Sequence, residues 1–320
     1  MSYKLLCGKA DQTLETLETK SVQTVVTSPP YFQMRDYGYD GQIGLESTPE
    51  EYIEKLVDTF RGVRKVLRDD GTVWVNLGDT YASSSYESIK KSDLIGIPWM
   101  FAFAMRKDGW FLKSDVIWAK PNPLPGGSSN KPVASHEYFF LFSKSSEYYY
   151  DKEATKENSV EKNNDGTFKK RLKRDVWNVP IASFKGSHFA VFPQALIEPC
   201  ILASTSEHGC CFSCGSPYIR DVERHRYSTR PGRNNKVDKT GFANRDYGRH
   251  LTETKTKGWL KNCGCETAEV KPCVVLDIFC GVGTTGLVSM KHGRDFIGID
   301  GKEEYLKIAD QRLSGVRTIF

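Results

Sequence analysis

The stretch that decides the fold is Val274-Val-Leu-Asp-Ile-Phe-Cys-Gly-Val-Gly-Thr-Thr285. An apolar strand runs into a turn that carries Gly281 and Gly283, and a helical pattern begins at Thr284. Glycines in such a turn let the backbone pass close to a ligand at the carboxyl end of a strand, where open α/β sheets bind ligands. The next strand ends at Asp300, where a carboxylate is placed to accept both hydroxyls of a ribose. This pattern predicts a nucleoside-type cofactor.

The same turn argues against a dinucleotide cofactor. It lacks the third glycine of the dinucleotide fingerprint, and it carries no lysine or arginine for a pyrophosphate. A tight strand–helix connection without any ligand is the alternative interpretation of a glycine turn taken alone.

Strand and helix patterns alternate along most of the chain. Strands are predicted at residues 3–7, 22–27, 72–77, 115–119, 138–142, 274–278 and 296–299, and helices at 94–106, 193–203, 284–292 and 302–313. A further helix is predicted from the N-cap Thr48, with Glu51 completing a capping box, to a stop at Asp70-Gly71. The alternation predicts an α/β fold with a doubly wound, mostly parallel sheet.

Composition excludes several classes of protein. The 320 residues suffice for one large α/β domain with insertions or for two smaller domains. No apolar run reaches the roughly 18 residues of a transmembrane helix, so no membrane association is expected. Residues 1–20 lack a basic start followed by an apolar core, so we expect a cytoplasmic protein. The net charge of +5 permits binding to a polyanion, and a homodimer is possible but does not follow from the residues.

A second motif, Ser28-Pro29-Pro30-Tyr31, follows the strand predicted at residues 22–27. Two prolines end the strand, because proline has no N–H for the sheet ladder. The Ser28 hydroxyl and the Pro29 carbonyl are then placed to accept both hydrogens of a planar amino group, and the Tyr31 ring offers a stacking surface for a base. A nitrogen held this way keeps its lone pair free to attack an activated methyl group. Taken by itself, the motif is that of a strand-ending turn.

Together the two motifs resemble the amino-DNA methyltransferases of the β group. In that family Ser-Pro-Pro-Tyr after a strand precedes Asp-x-Phe-x-Gly-x-Gly-Thr-Thr, and the chain has the same permuted order between Ser28 and Thr285. The resemblance covers nearly the whole chain. It implies the Rossmann-like fold of methyltransferases that depend on S-adenosyl-L-methionine (AdoMet). It also implies site-specific methyl transfer to the exocyclic amino group of a base flipped out of double-stranded DNA, because a stacked base cannot reach such a pocket.

The resemblance also implies roles for individual residues. Ser28, Pro29, Pro30 and Tyr31 would bind the flipped base. The cofactor residues would be Asp11, His188, Phe192, Pro193, Asp277, Phe279, Gly281, Gly283, Thr284 and Asp300. Two positions depart from the family pattern: Ile278 stands where proline is usual, and Lys9 stands where aspartate is common, so that Asp11 is the nearby carboxylate.

The first residue of the tetrapeptide bears on the choice of base. Serine at this position, Ser28, resembles the cytosine-N4 enzymes, whereas aspartate is more usual in the adenine-N6 enzymes. Cytosine N4 is therefore favoured, with adenine N6 as the alternative, since both are aromatic amines with similar hydrogen-bonding needs. Methylation of cytosine C5 would need a thiolate nucleophile. The two Pro-Cys pairs, ending at Cys200 and Cys273, lie in an apolar helical pattern and just before a strand, and both are interpreted as structural.

Nine cysteines are present, an odd number without a secretory signal, which argues against a disulfide framework. Four of them, Cys211, Cys214, Cys263 and Cys265, resemble a zinc knuckle. A closed site with four thiolate ligands would be structural rather than catalytic. Cys210 and His208 are substitute ligands, and free thiols on a surface insertion are the alternative.

The patterns divide the chain into three parts. A methyltransferase domain is predicted over residues 1–150, 188–207 and 271–320. Residues 151–187 are a candidate target-recognition segment, and residues 208–270 form a cysteine-containing insertion that we call the cysteine insertion. Residues 215–262 carry twelve Lys and Arg against five Asp and Glu, which suits phosphate contacts, although a solvated surface has the same composition. A catalytically inactive nucleic-acid-binding relative is the competing function, and an RNA or protein methyltransferase is disfavoured by motif order.

Overall fold

The computed structural model describes residues 1–39, 41–123, 130–162, 166–181, 191–228 and 250–316. Its helices are α1 (Ala10–Leu14), α2 (Pro49–Val66), α3 (Ile97–Lys107), α4 (Gln194–Ser204), α5 (Thr284–Lys291) and α6 (Glu303–Ser314). Its strands are β1 (Tyr3–Cys7), β2 (Val22–Thr27), β3 (Leu67–Leu77), β4 (Phe111–Ala119), β5 (His136–Ser143), β6 (Glu157–Lys162), β7 (Phe168–Arg171), β8 (Val176–Asn178), β9 (Cys210–Cys211), β10 (Ile219–Ser228), β11 (His250–Leu260), β12 (Val270–Lys271), β13 (Val274–Asp277) and β14 (Asp295–Asp300).

Eight strands form one sheet in the order β1-β14-β13-β2-β3-β5-β4-β8. The first five are parallel, β5 is antiparallel to both β3 and β4, and β8 adds a parallel pairing to β4. The parallel strands β1, β14, β13, β2 and β3 therefore all end at one edge of the sheet, which we call the carboxyl edge. The opposite edge, where these strands begin, is the amino edge. The predicted mostly parallel α/β sheet is confirmed.

Helices cover both faces of the sheet. Residues of α1, α2 and α3 pack with one face in a buried cluster that includes Leu14, Tyr52, Phe60 and Phe101. Residues of α4, α5 and α6 pack with the other face in a second cluster. Apolar layers on both sides explain why β2 is buried at all six of its residues. The arrangement is the doubly wound one that the alternating pattern predicted.

Two predicted helix bounds are wrong, for different physical reasons. Helix α2 ends at Val66 rather than at Asp70, because Leu67 is already extended (ψ 138°) and pairs with Val22 of β2. Helix α3 begins at Ile97 rather than near residue 94. Its first N–H groups are capped from outside the helix, since the Asp79 carboxylate accepts from the N–H groups of Gly96 and Ile97 at 3.0 and 3.1 Å.

The cysteine insertion builds a small substructure of its own. Strands β10 and β11 form a long antiparallel hairpin, and β9 pairs with β12 at its base. Its residues 229–249 lie outside the described part of the chain. Among the helices of the described ranges, none combines the length and the hydropathy needed to cross a membrane.

Candidate active site

The two sequence motifs meet at the carboxyl edge of the sheet. Ser28 follows β2 directly, and the glycine turn follows β13. These strands are adjacent and parallel, with Leu276 opposite Val25. Neighbouring strands lie about 4.8 Å apart, so the tetrapeptide and the glycine turn open onto the same place.

Asp277 ties the two motifs together. Its Oδ1 accepts from the Thr27 hydroxyl at 2.6 Å, and its Oδ2 accepts from the Thr285 hydroxyl at 2.6 Å. The backbone N–H of Phe279 donates to Oδ1 at 3.1 Å. Asp277 is buried at 2% exposure, so these bonds satisfy a carboxylate that would otherwise be costly to bury. The carboxylate fixes the end of β2 against the start of α5.

Burial makes the stability of the protein depend on the proton of Asp277. Burial, only partly opposed by the hydrogen bonds from Thr27 and Thr285, raises the pKa of Asp277 to about 6. The folded state therefore holds this proton at pH values where the unfolded carboxyl has lost it. The stabilising contribution is complete below about pH 4 and is lost as pH rises through about 6.

This sign gives a measurable prediction for Asp277→Asn. We expect the difference in free energy of unfolding, native protein minus variant, to fall by about 3 kcal/mol between about pH 4 and pH 7. The size follows because each pKa unit between the folded and unfolded states corresponds to about 1.4 kcal/mol. Denaturant unfolding at several pH values measures both proteins, and the subtraction removes the contribution of all other groups. A difference that stays flat across this range would show that the carboxyl titrates alike in both states.

Asp300 borders the glycine turn from the end of β14. Its Oδ2 accepts from the N–H of Gly281 at 2.7 Å, and its Oδ1 accepts from the N–H of Lys302 at 2.9 Å. Burial raises the pKa of this carboxyl, against the effect of both backbone bonds. Asp300 nevertheless remains partly exposed, and each of its oxygens, which accepts one backbone hydrogen bond, has the capacity to accept a further one.

The two glycines of the turn have different surroundings. Both take left-handed conformations, with φ of +50° at Gly281 and +77° at Gly283. A Cβ at Gly283 would lie 2.9 Å from the Cβ of Ala309, whereas a Cβ at Gly281 would meet no atom of the described residues within 4 Å. Gly283 therefore lets α5 pack closely against α6, and Gly281 faces open space beside Asp300.

Tyr31 is held by a polar network at the carboxyl edge. Its hydroxyl donates to Glu137 Oε2 at 2.7 Å and lies 3.2 Å from Asn76 Oδ1. Lys120 pairs with Glu137 Oε1, and Asn76 donates to Glu137 Oε2 at 3.0 Å. Burial, and next the charge of Glu137, hold the pKa of Tyr31 well above its usual value. The hydroxyl therefore stays protonated and fixes the ring, which packs against Gly78.

The carbonyls of the tetrapeptide are not equivalent. The Tyr52 hydroxyl donates to the Pro30 carbonyl at 2.8 Å, inside the core. Among the described residues, the Pro29 carbonyl accepts no hydrogen bond. The Ser28 hydroxyl donates to the Asn76 carbonyl at 3.3 Å, which leaves its lone pairs available. Ser28 and Pro29 thus each keep an oxygen with unused capacity to accept a hydrogen bond.

The remaining predicted cofactor residues are spread around this centre. Asp11 is exposed in the first turn of α1, just after β1, which pairs with β14. Phe279 lies in the glycine turn, and Pro193 is the N-cap of α4 with Phe192 before it. His188 lies outside the described residues. The roles of these residues toward a cofactor stay predictions.

Several residues at the site were not singled out as site residues from the sequence. They are Thr27, Asn76, Lys120, Glu137 and Thr285. The sequence offers one signal for Lys120 and Glu137, since the segments Lys120-Pro-Asn-Pro and Ser135-His-Glu-Tyr138 resemble segments of the amino-DNA methyltransferases. Their grouping depends on the pairing of β3 with β5, which brings Asn76 opposite Phe139.

The four predicted zinc ligands also come together. The side chains of Cys211, Cys214, Cys263 and Cys265 form one cluster, whose ligand atoms all lie within 4.8 Å of one another. The cluster lies by the amino edge of the sheet, because Gly215 contacts Gln23 at the start of β2.

Comparison with known proteins identifies the family. The DNA methylase model of the N6 and N4 methyltransferases matches residues 22–214 and 271–311. The chain belongs to this family. The match includes both motifs of the carboxyl edge and leaves residues 215–270 unmatched, so the hairpin β10–β11 of this DNA methylase lies outside it.

Curated relatives of this DNA methylase extend over nearly the whole chain. The type II methyltransferase M.Cfr9I of Citrobacter freundii is 38% identical, over 97% of this chain and 87% of the relative. The type II methyltransferase M.SmaI of Serratia marcescens is 36% identical, over 98% of this chain and 91% of the relative. The predicted membership of the amino-DNA methyltransferases is confirmed.

Solved structures share the fold of this DNA methylase. The PvuII DNA methyltransferase, described as cytosine-N4-specific, matches with a TM-score of 0.63 at 18% identity, covering 99% of this chain and 89% of that chain. A putative DNA modification methylase of Thermus thermophilus, in complex with S-adenosyl-L-methionine, matches with a TM-score of 0.56 at 19% identity, covering 98% of this chain and 93% of that chain. The predicted fold class is confirmed by these likenesses.

Proposed function

We propose that this DNA methylase transfers the methyl group of AdoMet to N4 of cytosine in double-stranded DNA, with Ser28, Pro29 and Tyr31 holding the base and the turn at Gly281 holding the cofactor. One observation carries the proposal. The tetrapeptide and the glycine turn end adjacent parallel strands, β2 and β13, and Asp277 bonds to the hydroxyls of Thr27 and Thr285 from between them. Donor and acceptor bound at these two places lie close enough for direct transfer.

The residues of the glycine turn fit AdoMet. Asp300 is partly exposed and its carboxylate oxygens have capacity to accept from the ribose hydroxyls, and Gly281 leaves open space in the same turn. Thr284 begins α5, and its buried hydroxyl has no hydrogen-bond partner among the described residues. An unsatisfied buried hydroxyl costs about 1–3 kcal/mol. A polar group of the cofactor at this helix N-terminus, such as a carboxylate, would satisfy it.

The tetrapeptide fits a target amino group. AdoMet supplies an electrophilic methyl group on its sulfonium when it is bound. The Ser28 hydroxyl and the Pro29 carbonyl accept the two hydrogens of the amino group, which raises the electron density on the nitrogen and directs its lone pair away from the protein. The Tyr31 ring, held by Glu137 and packed on Gly78, stacks on the base and limits its rotation. These residues act by positioning and by their dipoles.

Serine at position 28 supports cytosine N4 as the acceptor. This chain resembles the cytosine-N4 enzymes in that it carries serine at the first position of the tetrapeptide. The PvuII methyltransferase, which shares the fold, is also described as cytosine-N4-specific. Adenine N6 is the second candidate, because Ser28 and Pro29 would accept the hydrogens of either amine equally well.

Two parts of the chain are proposed to contact duplex DNA. In the segment 151–187, β8 returns to the carboxyl edge, where Asn178 pairs with Ala119 beside Lys120 of the Tyr31 network. The position of β8 beside this network supports the proposal that the segment is a target-recognition element. The basic residues of the cysteine insertion are proposed to contact phosphates.

A nucleoside analysis tests the proposed function and the base together. The purified protein is incubated with AdoMet and mixed-sequence duplex DNA, the DNA is digested to nucleosides, and the products are compared with N4-methyldeoxycytidine and N6-methyldeoxyadenosine standards by mass spectrometry. N4-methyldeoxycytidine is the expected product. A matched reaction with Ser28→Ala should show a loss of product, and a reaction with single-stranded DNA tests the requirement for a duplex.

The other outcomes separate the alternatives. N6-methyldeoxyadenosine would retain the enzyme class and overturn the assignment of the base. Absence of any methylated nucleoside, in a protein that binds AdoMet by calorimetry and on DNA containing all short sequences, would favour an inactive nucleic-acid-binding relative.

A further inference from the structure

The chain holds a group of four cysteines that the proposed methyl transfer does not use. Cys211 ends β9 and Cys214 lies in the turn after it, whereas Cys263 and Cys265 follow the end of β11. All four are free thiols, and their sulfur atoms lie within 4.8 Å of one another. In a tetrahedral site with zinc–sulfur bonds of about 2.3 Å, the sulfurs are about 3.8 Å apart. A small contraction of this cluster would therefore complete the coordination of a metal ion.

We propose that Cys211, Cys214, Cys263 and Cys265 bind one structural zinc ion that closes the base of the hairpin β10–β11. Cys211 and Cys214 lie within the residues matched by the family model, whereas Cys263 and Cys265 lie outside them, so the matched part of the chain does not contain the complete ligand set. Four thiolate sulfurs are the ligand set typical of zinc.

The turn at Cys211 has the geometry of a metal-binding knuckle. The N–H of Gly215 donates to the Cys211 carbonyl at 2.8 Å, and Gly215 takes the left-handed conformation, with φ of +69°. The sulfurs of both cysteines of this turn, Cys211 and Cys214, belong to the four-sulfur cluster.

Little else holds the second pair of cysteines in place. None of residues 261–270 is buried, so this loop has no apolar core. Its contacts with the rest of the insertion are polar, such as the Ser216 hydroxyl on the Asn262 carbonyl at 3.0 Å and the Phe212 N–H on the Glu269 carbonyl at 3.0 Å. Small exposed substructures of this kind commonly depend on a metal to replace a core.

The surroundings of the cluster complement its charge and assign it a structural role. One zinc ion with four thiolates carries a net charge of −2, and Arg68 and Lys261 donate to the carbonyls of Cys214 and Cys265 beside it. Gln23 of β2 donates to the Gly215 carbonyl at 2.9 Å. The knuckle is thereby attached to the amino edge of the sheet, opposite the edge where Ser28 lies, so the ion would connect the insertion to the sheet without contacting the reacting groups.

The two alternative ligands that the sequence suggests, His208 and Cys210, lie outside the four-sulfur cluster. The His208 ring stacks on Trp259 with a centroid distance of 6.0 Å and contacts Tyr218 at 4.9 Å. Cys210 is buried, and its sulfur contacts the Lys271 carbonyl at 3.4 Å. Neither belongs to the four-sulfur cluster, so Cys210 provides a matched control next to a proposed ligand.

Metal analysis of the full-length protein tests the site without reference to activity. The protein is produced in medium containing zinc, purified without chelators and analysed for metals by mass spectrometry, and the expected result is one zinc per chain. Exchange of the zinc for cobalt should give the strong visible absorption of tetrahedral cobalt and thiolate-to-cobalt bands in the near ultraviolet. Protein that lacks zinc and whose four thiols react freely in the native state would overturn the proposal, as would a cobalt spectrum without thiolate bands.

Substitutions locate the metal within the chain. Cys263→Ser should lose most of the bound zinc, whereas Cys210→Ser should keep the full amount. If Cys263→Ser proves insoluble, a thiol-blocking mercurial should release zinc from the native protein in proportion to the thiols blocked, and release of zinc without any loss of thiols would contradict thiolate ligation. Equal zinc contents in both serine variants would contradict the assignment of the ligands.

Discussion

Replacing Tyr31 with alanine should lower kcat for methyl transfer by about 10³-fold, through lost stacking of about 1–3 kcal/mol and a misplaced base. The ring is the surface proposed to hold the target base, and it is fixed by Glu137 at 2.7 Å and by packing on Gly78. The affinity for AdoMet should be unchanged, because Asp300 ends β14 and Gly281 lies in the turn after β13, whereas Tyr31 follows β2. Single-turnover methyl transfer from labelled AdoMet, together with calorimetry of cofactor binding, measures both quantities.

Tyr31→Phe is the matched control for this prediction. It keeps the ring and removes only the hydroxyl that donates to Glu137 and approaches Asn76. Loss of one hydrogen bond to a charged group costs about 1.5 kcal/mol, so kcat should fall by only about tenfold. If the alanine variant kept the rate of the phenylalanine variant, the ring would not be the stacking surface, and the assignment of the base pocket would be wrong.

Asp300→Ala should weaken binding of AdoMet by about 100-fold or more, since each hydrogen bond to a charged group contributes about 1.5–3 kcal/mol and two ribose hydroxyls are involved. The substitution also removes the acceptor of the Gly281 and Lys302 N–H groups, which loosens the turn itself. Equilibrium binding of AdoMet in the absence of DNA gives the dissociation constant directly. The rate at saturating AdoMet should change much less than the affinity.

Two further variants test whether the loss of AdoMet affinity comes from the ribose contact or from a general disturbance of the fold. Asp300→Asn keeps one accepting oxygen and should lie between the native protein and the alanine variant. Asp310→Asn changes an exposed acidic residue on α6 whose carboxylate accepts from the Tyr3 hydroxyl and not from the N–H groups of the turn, and should leave AdoMet affinity unaltered. Unchanged affinity in Asp300→Ala, with an unchanged melting temperature, would remove Asp300 from the cofactor site.

Much of this architecture follows from local signals in the chain. The apolar run before Gly281, the strand ending at Asp300 and the strand before Ser28 were all predicted and are present as β13, β14 and β2. The N-cap at Thr48 was also predicted, and its hydroxyl accepts from the Glu51 N–H at 3.2 Å. Hydrophobic period, proline and glycine act within a few residues of where they stand, so a sequence displays them directly.

Other features depend on contacts between distant residues. The start of α3 was misplaced because its capping carboxylate, Asp79, lies 17 residues before Gly96. The network of Glu137 around Tyr31 joins residues 106 positions apart. No local pattern reports such pairings, because they exist only once the strands have taken their order in the sheet.

The sequence by itself determined the family and the order of the two motifs, and it predicted which residue types would face a cofactor and an amino group. Only the tertiary structure decided how these parts act together. It showed that Asp277 bonds to the hydroxyls of both Thr27 and Thr285. Thr27 lies 250 positions before Asp277 in the chain. It also separated the role of Gly283, which packs against Ala309, from that of Gly281. A sequence lists the residue types and therefore their chemical groups. The distances between those groups and their burial arise from packing, which exists only in the folded chain.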